Sequence, residues 1–398
     1  MPVTLKDDIY WVGAIDWNLR DFHGYITDRG ATYNSYLIID EKVTLVDAVK
    51  VEFYPEMIDR IRKIIDPSKI DYLICNHIEP DHSGSIPILL REYPNIKIFG
   101  TQMAKSGLDK YYGPGLPVEV VKTGDILNIG KRNINFLQVP MVHWPDSMFS
   151  YIPEDKLLLS NDGFGQHLAT SGRFDDEVDQ SDLMYEAKKY YANLLTHLSP
   201  LIQNTLKKVT ELKLDIEMIG PSHGIIWRND PGKIIQAYSD WSHQKSIDKV
   251  TFVFDTMWKS TEKMGRLMAE TIADAGYETR FLKLRENHRS DIMTEILDSS
   301  GILIGSPTMH MNLFPTVADF LCYLKGLKPQ NKTVSAFGSY GWSGEAVEQI
   351  LDSIKDLNLN IIDPGIRTLY RPDSNDKNDI TAFANTFIEQ IQKNKNQA

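Results

Sequence analysis

From Lys249 onward the chain keeps to one repeating pattern. Buried-type runs "KVTFVFDT", "TRFLKL", "GILIGSPT" and "KTVSAFGSY" alternate with stretches whose apolar residues have helical spacing, and a weaker run follows near "NIIDPGI". A strand followed by a helix and another strand joins a parallel sheet, because the helix must cross one face to bring the chain back. Five such strands in the last 150 residues predict an open, doubly wound α/β sheet of the smaller kind. Its ligand crevice lies at the C-terminal ends of the strands.

The first 248 residues follow a looser grammar. "ATYNSYLIID" and "KVTLVDAV" read as adjacent strands, "VEFYPEMIDRIRKII" as an amphipathic helix and "IDYLICNH" as a further strand. "IKIFG", "PVEVVKTGD", "RNINFLQVP", "SMFSYIPE" and "KLLLSND" add strands, one long helical stretch covers 178–212, and "DIEMIGPSHG" closes as strand and loop. The change of pattern divides the chain into domains 1–248 and 249–398, and 398 residues suffice for two cores.

Composition removes several function classes. A net charge of -11 argues against a nucleic-acid surface. No apolar run approaches the roughly 18 residues of a membrane span, and the N-terminus lacks a signal-peptide pattern. A cytoplasmic protein is expected. The two cysteines, Cys75 and Cys322, stand far apart outside any CxxC, which excludes a disulfide framework, a cysteine zinc site and an iron–sulfur or rubredoxin-type centre.

Chemistry concentrates in "NHIEPDHSGS", where His77, Glu79, Asp81 and His82 fall on a tight loop after a strand. A lone histidine is usually structural; this density is not. Three further segments supply one candidate each: His143 in "PMVHWPD", Asp162 in "LLLSNDGFG" and His223 in "GPSHGIIW". Four imidazoles and three carboxylates are too many for one ion and fit two, with a carboxylate shared and positions left open for substrate. Asp162 is the candidate bridge.

The order H-x-E-x-D-H followed by His143, Asp162 and His223, with 60, 18 and 60 residues between these positions, resembles the flavodiiron proteins (A-type flavoproteins). The resemblance spans essentially the whole chain. It implies a metallo-β-lactamase-like αββα sandwich followed by a flavodoxin-like doubly wound sheet. It also implies one iron on His77, Glu79 and His143, another on Asp81, His82 and His223, and Asp162 shared, with His82 the ligand over which members of the family differ. Zinc hydrolases of this fold typically carry a histidine where Glu79 stands. A carboxylate makes the site harder and more anionic, which suits iron cycling between ferrous and ferric states.

In the second half, three loops follow strands. "TMWKST" brings Thr256, Met257, Trp258, Ser260 and Thr261 to a helix start, an arrangement that receives a phosphate, although in isolation a plain hydroxyl-rich N-cap is the better explanation. "GSPTMHMN" brings Ser306, Pro307 and Thr308, and "GSYGWSGEA" brings Tyr340, Gly341, Trp342, Ser343 and Gly344. Similarity to flavodoxins assigns the first loop to an FMN phosphate and the other two to the isoalloxazine ring. No GxGxxG follows the first strand, which disfavours a dinucleotide.

His23 in "RDFHGY" stands where similar proteins place a histidine near the metal pocket, and Tyr190 could present a phenol to a bound diatomic molecule. His167, His197, His243, His288 and His310 are read as structural, and Cys75 as packing. The resemblance implies an oxidoreductase passing electrons from rubredoxin or another reduced donor such as F420H2 through FMN to a non-haem di-iron centre that reduces O2 to water, NO to N2O, or both. It further implies the minimal two-domain class without a rubredoxin domain and a head-to-tail homodimer; a tetramer of dimers is left open. The rivals are a binuclear metal hydrolase with an accessory flavodoxin-like domain and an electron carrier whose metal site is only structural.

Overall fold

A computed structural model describes residues 1–397, which form two compact units: Met1–Tyr190 with Leu198–Ser239, and Tyr191–His197 with Asp240 onward.

In the first unit a seven-stranded sheet runs, edge to edge, through Val3–Lys6, Ile9–Trp11, Tyr36–Ile38, Val43–Val46, Ile70–Ile74, Lys97–Gly100 and Val118–Val120. A five-stranded sheet runs through Ile126–Asn128, Asn133–Gln138, Met148–Ile152, Leu157–Asn161 and Met218–Pro221. Strand alternation decides which side chains go where. Tyr36, Ile38, Val46 and Ile74 meet Phe136, Met148, Ile152 and Leu159 of the second sheet in one core. Leu37, Leu45, Leu73 and Ile98 point to the opposite face, where Met57, Ile58 and Ile61 of the helix Tyr54–Arg62 and Leu89 and Leu108 cover them.

Two expectations need correction. "ATYNSYLIID" is two strands, Ala31–Tyr33 and Tyr36–Ile38, and they belong to different sheets. The stretch 178–212 is not one helix. It breaks after Gln180–Tyr190 into a wide π-type turn, Tyr191–Leu195, and resumes as Ser199–Glu211, with Pro200 in its first turn. The apolar spacing runs on through the break, so periodicity alone does not reveal it.

The second unit's sheet is parallel, in the order Glu278–Lys283, Ile247–Phe254, Ser299–Gly305, Thr333–Tyr340, Asn360–Ile361, with the short strand Ile366–Leu369 also on Thr333–Tyr340. Both faces are covered, as a parallel sheet requires. Val253, Ile302, Ile304 and Val334 pack under the helices Arg289–Leu297, Pro315–Leu327 and Ala346–Ile354, and Val250, Phe252, Leu303 and Phe337 under Ser260–Asp274 and Ser374–Gln397. The first strand lies between the second and third, so the winding reverses there and opens a crevice at its C-terminal end. Among the described residues no helix is long and apolar enough to cross a membrane.

Candidate functional site

The seven candidate ligands of the first unit converge. His77, Glu79, His143 and Asp162 form one group and Asp81, His82 and His223 another, with the ligand atoms of each within 4.8 Å of one another. The expected tight loop is only half right. Asp81 and His82 ride on one helical turn, Pro80–Ser83, which the proline starts with Glu79 at its cap. Asp162 turns one oxygen to each group. Its Oδ2 lies 2.9 Å from His143 Nε2 and 3.7 Å from His77 Nε2, and its Oδ1 lies 3.0 Å from His82 Nε2 and 3.4 Å from His223 Nε2.

Partners fix the ring orientations. His77 Nδ1 donates to Asp146 Oδ2 at 2.9 Å, and His223 Nδ1 donates to the Thr32 carbonyl at 2.8 Å. In both rings Nδ1 therefore carries a proton, and Nε2, the atom left to bind a metal, faces inward. Glu79 presents Oε2 at 3.3 Å to both His77 and His143, while its Oε1 meets His23 Nε2 at 2.6 Å. His223 is followed by Gly224 at φ +79°, where a Cβ would overlap the Gln166 side chain, so only glycine lets the chain turn away there.

The donor set fits metal. Both Asp81 oxygens, His82 Nε2 and Asp162 Oδ1 are buried without a hydrogen-bond partner, although His82 Nε2 and Asp162 Oδ1 stand 3.0 Å apart. Buried polar atoms that are close yet not aligned on one another are what a set of ligands around an ion looks like. The electrostatics agree. Burial would lower the His77 pKa, but Asp146 and Glu79 outweigh it and push it up to about 10; His143 is pushed up to about 10 by Asp162 and Glu79, and His82 to about 9 by Asp81 and Asp162. Burial would raise Glu79 and Asp162, yet the imidazoles hold both below the usual carboxylate range. A cluster that gathers protons this strongly is one that calls for cations.

Around it stand His23, half-exposed at φ +53°, and Tyr190, buried with its ring centroid 6.3 Å from that of His223. Sequence reasoning missed three neighbours. His167, read as structural, is fully buried with its ring 4.9 Å from His223, Nδ1 paired with the Tyr25 hydroxyl at 2.8 Å and Nε2 without a partner. Asp146 could have been found as the carboxylate three residues after His143. Asp47 directly follows the strand Val43–Val46 and is the least obvious. Its Oδ1 accepts from the Asn76 amide at 2.8 Å, and its Oδ2 from Asn76 Nδ2, Asn161 Nδ2 and Ser222 Oγ at 3.2, 3.3 and 3.3 Å. Asn76, Asn161 and Ser222 directly precede His77, Asp162 and His223.

In the second unit the three expected loops share one sheet end. Thr308 N–H donates to the Ser339 carbonyl at 2.9 Å, Thr261 and Ser339 hydroxyls meet at 2.8 Å, and the Ala346 amide donates to Thr308 Oγ1 at 3.3 Å. Ser306 Oγ is used within its own loop, donating to the Pro307 carbonyl and accepting from Phe314 N. Thr256 Oγ1 is buried without a partner, and the helix Ser260–Asp274 starts at Lys259, φ +66°, with no side-chain cap for its first amides. An orphan hydroxyl beside uncapped helix amides fits an anionic phosphate. Trp258 and Trp342, 90% and 82% exposed, flank this end with Met257, Tyr340, Gly341, Ser343 and Gly344. Such exposed indoles have little packing role and are free to face a ring. His288 caps the helix Arg289–Leu297, and Cys75 is buried with its thiol on the His77 carbonyl.

Residues 31–224 match the family described as ODP family beta lactamase and residues 252–382 the family described as Flavodoxin. A protein named nitric oxide reductase from Moorella thermoacetica is 45% identical over 379 residues, covering 94% of this chain and 95% of the relative. Among solved structures, the rubredoxin oxygen:oxidoreductase of Desulfovibrio gigas superposes with a TM-score of 0.97 at 37% identity, over 99% of both chains. The flavodiiron protein of Giardia intestinalis gives 0.95 at 35% identity, over 99% of this chain and 98% of that one.

Proposed function

Because the chain belongs to the flavodiiron proteins, we propose that it is an oxidoreductase that couples FMN to a non-haem di-iron centre and reduces O2 to water, NO to N2O, or both. The observation that carries this reading is Asp162, whose two oxygens face two separate groups of buried donors. His77, Glu79 and His143 would hold one iron, Asp81, His82 and His223 the other, and Asp162 both. Two such ions would supply adjacent electrons and open positions for a diatomic gas, and FMN would supply replacement electrons.

The chain's own groups prepare that chemistry. Asp146 and the Thr32 carbonyl lock His77 and His223 with their Nε2 lone pairs inward. His23, its pKa raised by the hydrogen bond to Glu79, holds a proton at Nε2 at the half-exposed edge of the cluster. Burial keeps the Tyr190 phenol protonated and His167 neutral, so each can orient a small polar guest without adding charge. Thr256 and the uncapped amides before Thr261 would take the FMN phosphate, with Ser260 beside them. The loops at Ser306–Thr308 and Tyr340–Gly344 would take the ring, with Trp258 and Trp342 as candidate neighbours.

The external donor in this reading is rubredoxin, with F420H2 the alternative, and the enzyme works in the cytoplasm. A head-to-tail homodimer would bring one subunit's FMN to the other's iron pair. A hydrolase reading has less support: Glu79 hardens the site, and the matched relatives carry reductase names. The test is anaerobic turnover of iron- and FMN-loaded protein with reduced rubredoxin, following O2 and NO separately. Consumption of either gas supports the reading and their ratio sets the preference. A protein that holds both cofactors reduced and consumes neither gas rules it out.

A further inference from the structure

An ion pair closes the end of the strand Ile247–Phe254. Asp255 is fully buried, directly before Thr256. Its carboxylate accepts from the Thr256 amide at 2.7 Å, from Arg285 Nε at 2.9 and 3.0 Å, and from Thr316 Oγ1 at 2.6 Å. Arg285, after the strand Glu278–Lys283, also donates to the Thr256 carbonyl, and its guanidinium lies 5.4 Å over the Phe314 ring. One guanidinium thus grips both sides of the Asp255–Thr256 peptide and reaches the helix that begins at Pro315. Arg285 is itself half-exposed, whereas the carboxylate it covers sees no solvent.

A buried carboxylate here poses a problem for the loop it opens. Salt does not screen a desolvated anion, and a second anion bound to the next residues would be repelled. The loop's own cation, Lys259, is exposed, so Arg285 is the group that touches Asp255 and cancels its charge. We propose that Arg285 is a positioning and charge-balancing residue for the FMN phosphate: paired with Asp255 it holds the 256–261 loop in shape and leaves that loop's field receptive to a dianion. This rests on the FMN reading above. A pair that only supports the fold at large would matter equally to any flavin. A charge-balancing pair matters to FMN and much less to riboflavin, which has the same ring and ribityl chain but no phosphate.

The experiment is titration of the deflavinated full-length protein with FMN and with riboflavin, followed by flavin fluorescence, for wild type, Arg285→Met, Arg285→Lys and Asp255→Asn/Arg285→Met. Far-ultraviolet circular dichroism confirms that each is folded. Arg285→Met is expected to weaken FMN at least about tenfold, or about 1.4 kcal/mol, and riboflavin distinctly less. Arg285→Lys should keep most of the FMN affinity, and the double variant should recover part of what Arg285→Met loses, because it removes the unbalanced charge but does not restore the grip on the loop. Should Arg285→Met fail to fold, Arg285→Gln, uncharged but still able to donate to Asp255, carries the same comparison. No change in FMN affinity, equal loss of both flavins, or no recovery in the double variant overturns the proposal. Wild-type protein that takes up riboflavin and FMN alike overturns it as well, and uptake of neither flavin overturns the FMN reading from which it proceeds.

Discussion

Replacing Asp47 by alanine should loosen the metal cluster without touching any ligand. The carboxylate is buried and accepts four hydrogen bonds, one from the Asn76 amide at 2.8 Å and three longer ones on its other oxygen. Losing the short bond leaves a buried backbone donor unpaired, and the three long ones count for less. Relief from burying a charge, which raises the Asp47 pKa, offsets part of the loss. The net cost to the metal-free protein is about 2–4 kcal/mol. In a unit of this size that lowers Tm by roughly 5–15 °C. Since the bonded residues precede His77, Asp162 and His223, metal affinity should fall by about 10- to 100-fold in the same variant. Asparagine is not a rescue. With its carbonyl toward the Asn76 amide, its NH2 opposes three donors; turned over, the NH2 opposes that amide. Thermal unfolding of the metal-free protein and competition with a chelator of known affinity measure the two effects. If Asp47→Ala stays within about 0.5 kcal/mol of wild type, the level of an ordinary surface change, and holds metal equally well, then Asp47 does not tie these segments together.

Other outcomes follow from the same geometry. Asp162→Asn should cost both ions, at least about 100-fold each since a ligand matters more than its supporting partners; a variant that keeps one iron tightly, by metal analysis after dialysis, contradicts a shared position. In metal-free protein the raised His77, His82 and His143 pKa values stabilise the fold fully below their unfolded value near 6.5, and this is lost as pH rises through about 9 to 10. Urea midpoints should fall across that window, and a flat profile speaks against the assignment. Tyr190→Phe keeps the buried ring, so stability should change by less than about 1 kcal/mol while gas turnover slows; unchanged turnover makes Tyr190 packing only. Trp258→Ala and Trp342→Ala should leave stability within about 0.5 kcal/mol yet alter bound-flavin fluorescence, and unaltered fluorescence in both places the ring elsewhere.

The candidate ligands are legible because each is a chemically rare choice at a strand end. His77 follows "IDYLICN", Asp162 follows "KLLLSN", His223 follows "EMIGPS", and the parallel sheet of the second unit was plain from alternation alone. What escaped was whatever depends on a partner distant in sequence. Asp146 lies 69 residues from His77, the Thr32 carbonyl 191 from His223, and Asp47 114 from Asn161. Local pattern says which face a residue occupies and nothing about what lies across the fold. The same holds for Arg285, an ordinary exposed arginine in the sequence whose meaning comes from Asp255, 30 residues earlier. The place of His167 beside His223 escapes for a related reason: a single histidine in a loop is usually structural, and this proximity exists only once two strand ends meet. Residue type therefore points to the candidate binding groups, whereas the groups placed to aim and balance them, being ordinary carboxylates, carbonyls and guanidinium groups, are recognised by geometry. Variants such as Asp47→Ala and Arg285→Met, which leave every predicted ligand in place, consequently test the structure more sharply than removal of a histidine would.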